Sequence, residues 1–203
     1  MATILEVDQN FPQPGIVEHA IELIKDSSGV LVYPTDTIYG LGCDINDKKA
    51  ISIISEIKNR PSSKQYSILV DSLEMLIKYS KVNSSIKKLL SKYLPGPFTF
   101  ILKASSKVPK NLIAPDGTIA IRIPNNRLCW ALVKELKSPI ITTSLNISTK
   151  EVITNPNNIP SEMLNKITVI LDAGDLNNIS STIVNLTVKP YQVVREGKGV
   201  FKD

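Results

Sequence analysis

The sequence has 203 residues, 42% of them hydrophobic and 21% charged, which suits an ordinary soluble globular protein with one good core or two small ones. Its 24 Lys and Arg against 19 Asp and Glu leave a formal net charge of +5, a modest excess compatible with a phosphate-bearing ligand or RNA, and equally with a plain basic surface. A single His and two Cys exclude most zinc hydrolysis and nucleophilic triads, so any chemistry here runs on hydroxyls, carboxylates, amides and cations.

In chain order, "MATILEVDQN" carries Glu6 and Asp8 with no basic region, which predicts no secretory signal and a cytoplasmic protein. No apolar run approaches the ~20 residues that span a bilayer, so no membrane is expected. "GIVEHAIELIKDSSG" predicts an amphipathic helix, apolar at Ile16, Val17, Ala20, Ile21 and Ile24 and stopped at Gly29, with His19 on its surface. "VLVY" then predicts a buried strand, followed by the polar run "YPTDTIYGLG" at 33–42. "NDKKAISIISEIKNRP" predicts a helix capped by Asn46 or Asp47 and terminated at Pro61. After it come a strand in "YSILV", helices in "DSLEMLIKYS" and "NSSIKKLLSKYL", and period-two strands in "FTFILK" and "TIAIRIP". "NRLCWALVKEL" predicts a helix with Trp130 packed, and "PIITTSL", "ITVILD", "STIVNL" and "YQVVRE" complete the strands. The stretch 148–159 reads as a polar, mobile loop. The pattern predicts one α/β domain over residues 1–203, with a mixed twisted sheet because some strands follow each other without a helix. Cys43 and Cys129 lack metal-ligand spacing and are expected to be reduced.

Three polar clusters stand out. Thr35, Asp36 and Thr37 follow the strand "VLVY", where α/β sheets build ligand sites, and Gly40 and Gly42 would let the backbone bend or approach a ligand closely. In "KNRPSSK", Lys58, Arg60 and Lys64 bunch at a helix end, either as favourable partners of its dipole or as a polyphosphate clamp. "ITTSLNIS" ends an apolar strand in Thr142, Thr143, Ser144, Asn146 and Ser148, as a hydrogen-bonded turn or as the second wall of the same cleft. Arg122, in an otherwise apolar strand, must be paired or functional. With Arg195 in "VVREG", these strand ends suggest one nucleotide pocket.

In this order and spacing, "YPTDTIYGLG", "KNR" at 58–60, "PGPFTFILK" at 95–103, "RIP" at 122–124, "SLN" at 144–146 and "SSTIV" at 180–184 resemble the YrdC-like threonylcarbamoyl-adenylate synthases of the single-domain TsaC type, over roughly residues 10–197. The resemblance implies a twisted open mixed sheet flanked by helices around a large concave basic cavity. It implies a nucleotidyltransferase making threonylcarbamoyl-adenylate and pyrophosphate from L-threonine, bicarbonate and ATP, with Mg²⁺ accompanying the ATP and no resident metal. A downstream machinery would pass the group to adenosine 37 of tRNA, and some members bind tRNA or double-stranded RNA. Carried over by residue, Thr35, Ser67, Arg122, Ser144 and Ser181 would hold threonine. Lys58, Ser62, Thr118, Asn146, Thr154 and Arg195 would hold ATP, and Lys58 and Arg60 would be catalytic. Gln65, Leu145 and Thr149 depart from the family pattern near the ligand. The rival is a non-catalytic RNA-binding module of the same fold, which needs only diffuse positive charge.

Overall fold

The computed structural model describes residues 2–59, 66–176 and 179–202. The elements in chain order are β1 (Thr3–Glu6), α1 (Pro14–Ser27), β2 (Leu31–Tyr33), β3 (Gly40–Asp44), α2 (Lys48–Lys58), β4 (Ser67–Leu69), α3 (Leu73–Tyr79), β5 (Ser80–Lys81) and α4 (Ser84–Tyr93). They continue with β6 (Phe98–Ala104), β7 (Thr118–Arg122), α5 (Arg127–Leu136), β8 (Ile140–Ser144), α6 (Ser161–Leu164), β9 (Val169–Asp172), β10 (Thr182–Asn185) and β11 (Gln192–Arg195).

The helix boundaries follow local chemistry. Pro14 opens α1 with a pre-set φ, and Ser28 ends it in the left-handed region at φ 52°. The Asp47 carboxylate accepts the N–H groups of Lys49 and Ala50 and caps α2, one of the two caps expected there. Asn126 caps α5 by accepting the Cys129 N–H. The predicted stop of α2, Pro61, lies outside the described residues; Asn59, at φ 44°, already ends the helix.

Among the described residues, eleven strands form one open sheet in the order β1-β9-β2-β3-β8-β4-β7-β6-β10-β11, with the two-residue β5 paired to β6. The sheet is mixed: β1, β9 and β2 run parallel, β3 is antiparallel to both β2 and β8, β8 is antiparallel to β4, and β4 with β7 and β6 with β10 are further parallel pairs. Helices α2, α3 and α4 contribute to the apolar cluster on one face, with Val32, Leu41, Ile68, Phe100, Ile121 and Ile141 beneath them. On the other face α1 and α5 pack over Leu31, Tyr33, Leu69, Ile140, Val169 and Leu171. No helix among the described residues is long and apolar enough to cross a membrane.

β3 was not expected as a strand, because "GLG" looks like a turn. Its glycines serve packing instead. A Cβ at Gly40 would lie 2.8 Å from the Tyr33 ring, and one at Gly42 would lie 2.3 Å from the Ile141 carbonyl oxygen. Both residues let neighbouring protein groups close in along a regular strand rather than a sharp bend, and Gly40 also lines the cavity described below. Gly42→Ala is therefore expected to destabilise the fold by about 1–3 kcal/mol, as an overpacked interior does; equilibrium urea unfolding of the variant beside the parent measures it.

Candidate functional site

A strand sends alternate side chains to opposite faces, so residues two apart share a surface. On the face that α1 and α5 cover with Leu69 and Ile140, the next positions along are Ser67 and Thr142, and the apolar cover stops. Register places Thr142 opposite Ser67, Ser67 opposite Ala120, and Ala120 opposite Ile101, a row of mostly small side chains across four strands. Over this row opens a cavity of about 540 Å³. Its floor is the interior of the sheet (Thr99, Thr118, Ala120, Thr142), and its rim is made by segments next to β3, β8, β10 and β11. The expected site used strand tips; here strand middles supply much of the surface.

Lys58 closes α2 and is only 3% exposed. A buried ammonium needs oxygen partners. It finds them across the cavity wall: its Nζ donates to the Ser144 carbonyl at 2.7 Å and to the Asn146 Oδ1. The Ser144 hydroxyl donates to the same Oδ1 at 2.6 Å, while the Asn146 amide nitrogen donates to the Lys150 carbonyl at 2.6 Å. The Ser148 N–H donates to the Lys58 carbonyl at 3.0 Å, tying the loop after β8 to the end of α2. The two short motifs at 58 and 144–146 thus meet as one hydrogen-bonded unit.

On the opposite wall, Arg122 is 7% exposed at the end of β7. Its Nη2 donates to Asp36 Oδ1 at 2.8 Å and to Thr37 Oγ1 at 3.1 Å. The buried cation of the sequence is therefore paired and also lines the cavity. Arg195 donates through Nη2 to the Ser181 carbonyl at 2.7 Å, and the Ser181 hydroxyl lies 2.9 Å from that of Thr99. Burial first, and the charge of Arg122 second, hold the Arg195 guanidinium below its ordinary value.

The cavity gathers Lys58, Ser67, Thr118, Arg122, Ser144, Asn146, Ser181 and Arg195 from the expected site. Arg60, Ser62, Lys64 and Gln65 lie outside the described residues. Two residues are not on the wall. Thr35 is 1% exposed, and its hydroxyl donates to the Ile38 carbonyl and meets the Thr37 hydroxyl, so it shapes the turn after β2. Thr154 sits within the loop 148–159, where its carbonyl accepts the Leu176 N–H. The loop 148–159 is pinned where the Ile153 N–H meets the Leu145 carbonyl, and it contains a 3₁₀ turn at Pro156–Asn158.

The departures separate cleanly. Leu145 is fully buried in the core, whereas Thr149 lines the cavity at φ 71°, a left-handed conformation costly for a β-branched residue. Thr99 was missed, although one hydroxyl between Phe98 and Phe100 at a cavity-facing position was the available signal. Cys43 and Cys129 are buried and free, and burial pushes both thiols up, which removes them from nucleophilic chemistry.

A family model described as telomere recombination (Sua5/YciO/YrdC) matches residues 23–197. The uncharacterized protein YciO of Escherichia coli (strain K12) is 33% identical over 204 residues, covering 100% of this chain and 98% of that one. The putative threonylcarbamoyl-AMP synthase of Methanocaldococcus jannaschii is 36% identical over 170 residues, 83% of this chain and 79% of that protein. Among solved structures, E. coli YciO matches with a TM-score of 0.92 at 33% identity, covering 98% of both chains. Sua5 of Pyrococcus abyssi complexed with L-threonine matches with a TM-score of 0.88 at 29% identity, covering 97% of this chain and 58% of that one.

Tyr39 also lines the wall, and its phenol is shifted. Tyr39 donates to the Gly174 carbonyl at 2.7 Å and accepts the Ala173 N–H at 2.9 Å. Burial, outweighing that accepted N–H, pushes its phenol from 10.0 to about 12. The folded state holds this proton more tightly than the unfolded chain, so its contribution is intact below about pH 10 and is lost between about pH 10 and about 12. The unfolding free energy is expected to fall across that window, and to fall less steeply in Tyr39→Phe, as measured by denaturant titration at stepped pH.

Proposed function

The chain belongs to the Sua5/YciO/YrdC family, and from that premise we propose that it is an L-threonylcarbamoyladenylate synthase acting ahead of tRNA modification. One observation carries the reading: Lys58, Ser144, Asn146 and Arg122 face the same cavity. Two relatives bear the name threonylcarbamoyl-AMP synthase without qualification, and a Sua5 structure contains L-threonine. The described cavity lining contains three cations, Lys58, Arg122 and Arg195, and no carboxylate side chain, which suits anionic substrates. Its volume of about 540 Å³ falls within the ordinary range for small-molecule sites.

On this reading, Arg122 receives the threonine carboxylate, and Ser67, Ser144 and Ser181 orient the amine and side chain. The amine adds to bicarbonate-derived CO2 and loses a proton, giving a carbamate. A carbamate oxygen then bonds to the α-phosphorus as the bond from that phosphorus to the bridging oxygen of pyrophosphate breaks. Lys58 neutralises charge on the phosphates, joined by Arg195, with Thr118 and Asn146 beside the nucleotide and Arg60 and Ser62 assigned to the phosphates from sequence. Such transfer depends on alignment and charge stabilisation, which a site without a usable His or thiol can supply. No group of three or more His, Cys, Asp or Glu among the described residues could hold a metal ion. Mg²⁺ is assigned to the oxygens of ATP as part of the substrate, where it would offset phosphate charge.

The test is incubation with ATP, Mg²⁺, bicarbonate and each amino acid in turn, followed by pyrophosphate release. Release that depends on threonine is expected. Silence with threonine, together with tight binding of duplex RNA, would transfer the cavity to the RNA-binding reading. Lys58→Ala is expected to lower turnover ~100-fold or more with the fold retained by circular dichroism, since losing a charge-stabilising donor costs about 3–4 kcal/mol of barrier.

A further inference from the structure

Asp36 is the carboxylate that meets the Arg122 guanidinium, and it has no role in the reaction set out above. Both of its oxygens are held: Oδ1 by Arg122 Nη2 at 2.8 Å and Oδ2 by the Asn125 N–H at 2.9 Å. Its carbonyl accepts the Lys198 ammonium at 2.8 Å. The threonines on either side are fastened to each other and, through Thr35, to the Ile38 carbonyl. The carboxylate is thus held at both oxygens and its backbone is held at the carbonyl, so it is poorly placed to swing away.

Its partner is held on one side only. An arginine offers five N–H donors, two of them on Nη2, and those two are taken by Asp36 and Thr37. Among the described residues no hydrogen bond is made at Nη1. Arg122 Nε is the one buried side-chain polar atom without a partner among the described residues. A buried donor left without an acceptor is costly, and a ligand oxygen would remove that cost. Arg122 lines the cavity beside Arg195, whose guanidinium feels its charge.

We propose that Asp36 is a positioning residue that fixes the aim of the Arg122 guanidinium, so that the nitrogens it leaves open receive the single carboxylate of an amino-acid ligand. The inference rests on the amino-acid half of the function proposed above and adds to it a residue that touches no substrate. It also carries a specificity consequence. Asp36 and Arg122 together are close to neutral, so this corner accepts one carboxylate and resists a second negative charge, which disfavours dicarboxylic amino acids.

The experiment is a double-mutant cycle on threonine-dependent pyrophosphate release, with Asp36→Asn, Arg122→Gln and the pair, each checked by thermal melting. Asp36→Asn is expected to raise KM for threonine about 10-fold or more, leaving KM for ATP and kcat within about threefold. In the Arg122→Gln background the same change is expected to add no further loss in kcat/KM for threonine. Asp36→Glu keeps the charge but alters its reach; it is expected to raise KM for threonine as well, and it carries the test alone where the Asn variant does not fold. An unchanged KM in these variants, a lowered KM (as when a substitute for the ligand is removed), or losses that add independently of Arg122 would each overturn the proposal while leaving the synthase reading standing. A wild-type protein silent towards every amino acid overturns both.

Discussion

A lysine ammonium is taken out of water only where fixed oxygens replace its hydration, and the position of Lys58 depends on that rule. The residue ends α2, where the helix dipole favours a cation. Its charge is satisfied not by its own helix but by the end of β8 and the loop beyond, through the Ser144 carbonyl and the Asn146 amide oxygen. The bond therefore joins a helix packed under one face of the sheet to the wall of a cavity on the other. Removing either partner leaves a buried charge short of acceptors, which is why the motif at 58 and the motif at 144–146 are better regarded as one unit than as two ligand contacts.

The cavity exists because the sheet is longer than its helical cover on that side. Helices α1 and α5 fill the surface over β2, β9 and the neighbouring ends of β4 and β8 with apolar side chains. Beyond them the same face carries Ser67, Ala120, Thr142 and Gly40, side chains too small to meet a helix across the gap. The opposite face needs no such economy and is packed continuously by α2, α3 and α4. Stability and site are thus divided between the two surfaces of one sheet, and the polar row costs little because strand hydrogen bonds already satisfy the backbone beneath it.

How far the sequence revealed this differs from residue to residue. Helices α1 to α5 were readable because their apolar stripes recur at 3.6 residues, and the cap of α2 at Asp47 was in view, whereas the caps at Ser72, Asn83 and Asn126 and the four-residue α6 were not named. β3 was hidden because its glycines answer to the Tyr33 ring and the β8 backbone, partners distant in sequence. Arg122 was conspicuous as a cation among isoleucines, but its partner was not: Asp36 sat in a run of turn formers, and its partnership spans 86 positions. Thr35 looked like a ligand contact for the same reason that it is not on the wall. A hydroxyl following a strand can serve the turn or the ligand, and the composition is the same in both cases.

The two guanidiniums set the remaining constraint. Arg122 and Arg195 share one cavity, and after burial it is the charge of Arg122 that holds the Arg195 guanidinium below its ordinary value, so the two cations repel each other. Asp36 offsets one of the charges without filling the cavity, because its carboxylate is drawn to the side by the Asn125 N–H. An anion entering the cavity would relieve the rest. On the proposed reading this gives the triphosphate and the amino-acid carboxylate a shared electrostatic driving force, and each would bind less well to a cavity the other had already neutralised. Cooperation between the two substrates would then have to come from geometry: the carbamate would have to form beside the α-phosphorus, and on that reading the unit built on Lys58, Ser144 and Asn146 would be the element that both half-sites touch.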